Sequence, residues 1–249
     1  MSGGVSGVVI GVVIGETFRR HVTNVAYWSF VAFMAILSLG VSVFNRPAAG
    51  WPSMVTLLAL IAGSGAIGPE FSSGTLQLIL VKPLTRAAYL LSRVAGILLA
   101  VWLAAFVSAA FELTGRALWG ESAVPFAAIG AGLVNVMAGS ILAVSLLALL
   151  GSLTRAYLNI AIYLGVMIGI NMTEVVLGFL RVSRNALGEF LTRHPEIDHV
   201  LLVVEDNLFP DAPLAIEGRW MVMVLVNAMV ALLLACLAFR RREVPYGAD

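Results

Sequence analysis

Six stretches of this chain run for about twenty residues with almost no charge, the length an α-helix needs to cross a hydrocarbon core of about 30 Å. They are Val25–Phe44, Trp51–Gly68, Val94–Leu113, Pro125–Leu150, Leu158–Leu180 and Trp220–Phe239. A water-soluble domain with so many such runs would have too little polar surface to cover itself. The totals agree: of 249 residues 60% are hydrophobic and 12% charged, with mean hydropathy +0.99. Soluble domains carry about 25% charged residues. The pattern predicts an all-α, polytopic membrane protein, with residues 1–249 forming a single transmembrane domain. Tyr27, Trp28 and Trp220 read as interface aromatics. The one cysteine, Cys236, excludes an intramolecular disulfide.

Charge placement sets the orientation. Lys and Arg gather in short connections on the cytoplasmic side of a membrane. Arg19, Arg20, Lys82, Arg86, Arg93, Arg155 and Arg240 to Arg242 fall on one side, and the opposite short loops hold only Arg46 and Arg116. The first side is expected to be cytoplasmic, with both termini inside. No basic residue precedes the apolar stretch Val5–Ile14, so the N-terminus does not read as a signal peptide.

Three segments lie between the spans without being ordinary loops. Residues 1–24 place glycines at 3, 7, 11 and 15, one stripe along a helix, and Glu16 can pair with Arg20 one turn on. An interfacial helix fits; a frayed glycine-rich terminus is the alternative. Residues 70–93 are too charged to span and too apolar for a solvated linker. Gly74–Val81 reads as a short amphipathic helix stopped by Pro83, with Thr85 opening the next helix. Residues 181–219 are rich in acids, as an external loop would be. They carry enough apolar residues, among them Phe190, Leu191, Ile197 and Leu201, to pack on the outer membrane surface or dip into it.

Several chemistries find no support. Gly63-Ser64-Gly65-Ala66-Ile67-Gly68 matches the dinucleotide spacing, but it closes an apolar span instead of following a strand. Small residues that let helices approach explain it better. A P-loop requires Gly-Lys, and the only lysine, Lys82, follows Val81. His194-Pro-Glu-Ile-Asp-His199 is not a zinc-protease motif, although Asp198 and Glu205 nearby leave a metal site conceivable. No G-x-S-x-G element is present. Glu112 and Glu174 sit near span ends, where they can reach the interface. Asn135 and Asn171 lie deeper, where interhelical hydrogen bonding is the plain role.

The segment from Ile67 to Arg93, Ile-Gly-Pro-Glu-Phe-Ser-Ser-Gly-Thr-Leu-Gln-Leu-Ile-Leu-Val-Lys-Pro-Leu-Thr-Arg-Ala-Ala-Tyr-Leu-Leu-Ser-Arg, resembles the ABC-2 type transporter permeases. The match runs through Glu70, Gly74, Thr75, Leu76, Pro83, Arg86, Tyr89, Leu90 and Leu91. Ser92-Arg93 stands where the family usually has Gly-Lys. Gly15–Asn24 is similar to that family's interfacial helix. The resemblance implies a permease subunit that pairs with a second, identical or different, permease chain and docks a separate cytoplasmic ATPase. It implies that residues 70–93 form the coupling helix between the second and third spans. The ATPase would be met by Glu70, Gly74, Thr75, Leu76, Ile79, Leu80, Lys82, Pro83 and Arg86. ATP and Mg would bind that partner, leaving this chain with no catalytic residue or cofactor of its own. The expected location is the inner or plasma membrane, among lipid and without nucleic acid, and export is the expected direction. The substrate is unread. The other readings are a membrane-embedded lipid-processing enzyme, which needs convergent polar residues at one depth, and a secondary transporter, which needs broken spans and midplane charges.

Overall fold

The computed structural model describes residues 3–43, 51–66, 85–119, 126–154, 158–182 and 215–241, with isolated residues at 189, 193–194, 196, 200, 203–204, 207–208 and 213. Seven helices of fourteen residues or more are described: α1 Gly3–Val22, α2 Val25–Val43, α3 Trp51–Ser64, α4 Arg86–Trp119, α5 Phe126–Leu153, α6 Leu158–Val182 and α7 Gly218–Arg241. All-helical structure is what lipid demands, because a helix satisfies its backbone polar groups internally. The hydroxyls follow the same rule. Ser38, Ser108 and Ser145 donate to carbonyls one turn back, at Met34, Ala104 and Ile141.

Four helices are by themselves long and apolar enough to cross a membrane: α4, α5, α6 over Leu158–Leu177, and α7. α1 and α2 pass only as a pair, Gly7–Val22 with Val25–Gly40, bent by 67°. The chain is a membrane-embedded protein whose described residues hold four or five candidate spans, beside six apolar runs in the sequence. The difference lies in the first two runs. α3 has 14 residues, about 21 Å of helix, against a core of about 30 Å. The bend between α1 and α2 is made at Thr23 and Asn24, where the Asn24 Oδ1 accepts the Ala26 amide at 2.9 Å and caps α2.

α4 and α5 form the centre. α5 packs most extensively against α7, then α3, then α4, while α4 carries α2 and α1 on its other faces. Just over half of each central window is buried, against 12% for α6, which lies at the edge. Ile97, Val101 and Ala104 of α4 join Val144 and Leu147 of α5, Val55 of α3 and Met34 of α2 in one core. Close approach depends on two glycines of α4. A Cβ on Gly96 would stand 2.6 Å from the Thr17 Cβ of α1, and one on Gly115 would stand 2.8 Å from the Ser42 Cβ of α2. The glycine stripe of α1 does the opposite: Gly7, Gly11 and Gly15 face open space.

Three local expectations change. Tyr27 is buried, because its hydroxyl finds the Ala100 carbonyl of α4 at 2.8 Å; only Trp28 keeps an exposed ring. Glu16 pairs with Arg19 at 3.3 Å instead of Arg20, since both lie on its face of the helix. α4 starts at Arg86, directly after Thr85 as expected, and ends six residues after Leu113, so Arg116 belongs to the helix and not to a connection.

Candidate functional site

The end of the bundle at which Ala66 and Thr85 stand, here called the junction end, holds a polar network that crosses between helices among the described residues. The last carbonyls of a helix have no donors within it. At the end of α3 those carbonyls are taken by three donors from two other helices. The Ser64 carbonyl accepts from Asn159 Nδ2 of α6 at 3.1 Å. The Gly65 carbonyl accepts from Arg93 Nη2 at 3.3 Å, and the Ala66 carbonyl from Arg93 Nε at 3.2 Å. A guanidinium suits this place because the C-terminal end of a helix carries negative partial charge.

Arg93 reaches further. Its Nη1 donates to the Thr17 hydroxyl of α1 at 3.2 Å, so one side chain of α4 joins α1 to the end of α3. It is 6% exposed, and Thr17 is 1% exposed. One turn along α1, the His21 Nδ1–H donates to the Thr17 carbonyl at 2.9 Å. Burial lowers the His21 pKa from its usual value, and the nearby positive charges of Arg93 and Arg20 add to that. Asn159 Nδ2 also bonds the Leu147 carbonyl of α5 at 3.3 Å. Gly63 lets α3 meet α5 here: a Cβ on it would stand 2.9 Å from Leu147 Cδ1. Helix through Gly63 and Ser64, with a turn only at Gly65, is the wrong geometry for a dinucleotide loop.

The return point after residue 84 is tied as well. Thr85 Oγ1 accepts the Ala88 amide at 3.2 Å and caps α4. Arg86 Nη1 donates to the Arg240 carbonyl at the end of α7, at 3.4 Å. Arg86 is the one expected ATPase contact among the described residues. Glu70, Gly74, Thr75, Leu76, Ile79, Leu80, Lys82 and Pro83 lie outside them.

At the opposite, far end the polar groups serve packing. Glu112, 1% exposed, holds Arg116 through Oε1, at 2.9 Å from both Nε and Nη2, and accepts the Trp51 indole N–H on Oε2 at 2.6 Å. Glu112 is therefore held within the bundle, with its partner one turn on and Trp51 over it. Asn135 of α5 donates to the Pro213 and Ala215 carbonyls, and Asn227 of α7 donates to Asn207. Each asparagine is nine residues into its helix, about 14 Å from the end. Residues 207, 213 and 215 thus lie beside α5 and α7. His194 Nδ1 and Glu196 Oε1 stand 2.6 Å apart, and the Glu196 carboxyl is held below its usual pKa by its own backbone amide and by His194. Among the described residues no three His, Cys, Asp or Glu side chains cluster to hold a metal; His199, Asp198 and Glu205 lie outside them.

Thr17, His21, Arg93 and Asn159 were not singled out by sequence as a site. Arg93 and Asn159 share one usable signal: each is a polar residue at the start of an apolar run, placed to reach a neighbouring helix end. The chain matches no protein-family model and no curated protein. What it does must be read from its own residues.

Proposed function

We propose that this chain is the permease subunit of an ABC-2 type transporter, forming a substrate path across the membrane and driven by a separate ATPase. The supporting observation is the 67–93 segment. Its sequence resembles the coupling segment of those permeases, and it leaves and re-enters the bundle through tied ends: Gly65 and Ala66 held by Arg93, Arg86 held on α7. A segment that receives force from a partner must be joined firmly to the helices it moves. On this reading the junction end is cytoplasmic, α2 and α3 are the first two of six spans, and residues 181–219 are external. A second permease chain completes the path, and the direction is export from the cell.

The apolar ridge of Leu76, Ile79 and Leu80 would fill a groove on the ATPase, with Glu70, Lys82 and Arg86 fixing orientation. Nucleotide binding and hydrolysis belong to the partner, whose two states would bias the permease between two arrangements. The reading is tested by purifying the chain from its native membrane. A stoichiometric subunit bearing a P-loop should accompany it, and the chain stripped of that subunit should hydrolyse no ATP. ATP hydrolysis by the stripped chain would refute the proposal.

A further inference from the structure

α7 ends in two arginines set over an apolar face. Its last turns are fixed in rotation, because Phe239 is seated in the core and Ala228, Ala231 and Ala235 share its buried side. The opposite side is open: Val226, Val230, Leu233, Leu234 and Leu237 form one exposed stripe. At about 3.6 residues per turn Arg240 and Arg241 flank the junction end of that stripe, and both are exposed. From Val226 to Leu237 the stripe runs about 17 Å, close to half of a hydrocarbon core of about 30 Å. Positive charge is concentrated at this place. Arg86, in the first turn of α4, donates to the Arg240 carbonyl at 3.4 Å and so brings a third guanidinium to the seam. Neither the first turn of α4 nor the last turn of α7 contains an acid. Two other exposed arginines are balanced on their own helical turn: Arg19 pairs with Glu16 at 3.3 Å and Arg193 with Glu189 at 3.4 Å.

We propose that this seam binds an acidic phospholipid from the leaflet at the junction end, with its phosphate at Arg240 and Arg241 and an acyl chain along the exposed stripe of α7. Arg86 adds its charge to the field that the headgroup meets. The ligand class follows from the two halves of the site. A guanidinium fork matches phosphate oxygens two at a time, and a basic cluster at the end of a membrane helix attracts acidic lipid. A zwitterionic lipid offers the stripe the same chain but brings no net charge to the arginines. A soluble anion brings the charge but leaves the stripe unused. Each arginine near the membrane surface contributes about fivefold in affinity for acidic lipid. The inference goes beyond the permease reading and does not depend on it, since it needs only a chain embedded in lipid.

The test uses the purified full chain immobilised in neutral detergent. It compares retention of tail-labelled phosphatidylglycerol with that of phosphatidylcholine carrying the same chains and label. The parent should prefer the acidic lipid by on the order of twenty-five-fold, about fivefold from each of Arg240 and Arg241. Arg240→Gln and Arg241→Gln should each lower the preference about fivefold, and the double substitution should remove most of it. Arg19→Gln, at an exposed arginine paired with Glu16, should leave it unchanged. Salt at about 1 M, where exposed charges are screened within about 3 Å, should weaken the parent's preference with no substitution at all. Equal retention of the two lipids by the parent, a preference untouched by salt, or an equal loss in Arg19→Gln would overturn the proposal. So would displacement of the bound lipid by glycerophosphoglycerol at matched concentration, because the same headgroup without chains would then suffice and the site would be one for a soluble anion. The permease reading stands or falls separately, on the subunit that accompanies the chain.

Discussion

Arg93 and Arg116 stand on the same helix, 23 residues and about 35 Å apart, one at each end of the bundle. Both are nearly buried. Arg116 is paired with Glu112 one turn earlier on its own helix, and Trp51 closes the pair from α3. Arg93 reaches away from its own helix, to the Gly65 and Ala66 carbonyls after α3 and the Thr17 hydroxyl of α1. The first arrangement is a brace. Separating a buried carboxylate from its guanidinium is costly, so it resists rearrangement. The second is a joint. It links α4 to the end of α3 and to α1 through one side chain. One arginine thus steadies its own helix at the far end, and the other ties separate helices together at the junction end.

The largest effect expected is at the brace. Glu112→Ala leaves the Arg116 guanidinium buried without its carboxylate and should cost about 3–5 kcal/mol of stability. Denaturant titration in mixed micelles will show it. Replacing both, Glu112→Leu with Arg116→Met, should recover most of the loss, because a well-packed apolar pair can match a buried ion pair. A single-substitution cost no greater than that at Arg93 would erase the distinction between brace and joint.

Arg93→Gln should come next, at about 1.5–3 kcal/mol for the loss of charge-assisted hydrogen bonds. The same titration measures it. Arg93→Lys should fall between parent and Gln, since an ammonium keeps the charge and loses the planar fork. Lysine behaving no better than glutamine would show that charge contributes little at this site.

The smallest effect is a pH dependence at His21. Its pKa is lowered in the folded chain, so as pH falls through about 6.5 the unfolded chain takes up the proton first. Stability at the junction should therefore be full at neutral pH and decline below that value, as the ring is charged beside Arg93 and Arg20. Amide exchange of residues 17–22, corrected for its intrinsic pH dependence, should reveal the loosening. His21→Asn should flatten it. Protection in the parent chain that does not change down to about pH 5 would remove His21 from the joint.

Much of the fold was legible because apolar runs of spanning length announce helices. The runs at Val94–Leu113, Leu158–Leu180 and Trp220–Phe239 each fall inside a helix of the structure, and the run at Pro125–Leu150 does so from Phe126 on. The site was less legible for a physical reason. A window set by bilayer thickness stops short of Arg116, whereas α4 continues past it, so Arg116 looked like a loop residue. The described partners of Arg93 are set by tertiary approach. Nothing in the spacing of Thr17 or Asn159 says that α3 will end beside them. Glu112 misled for a related reason: its carboxylate is stabilised by an arginine one turn away and by a tryptophan from another helix, and only the first of these can be read from sequence.

On the permease reading, the junction end meets the partner that drives the protein. A photo-crosslinking amino acid placed at Arg86, and in a separate chain at Glu217 near the start of α7, tests it in native membranes. The crosslink from position 86 should capture the P-loop subunit, and the crosslink from position 217 should not. Capture of that subunit from position 217, or its association with no crosslink from position 86, would contradict the claim.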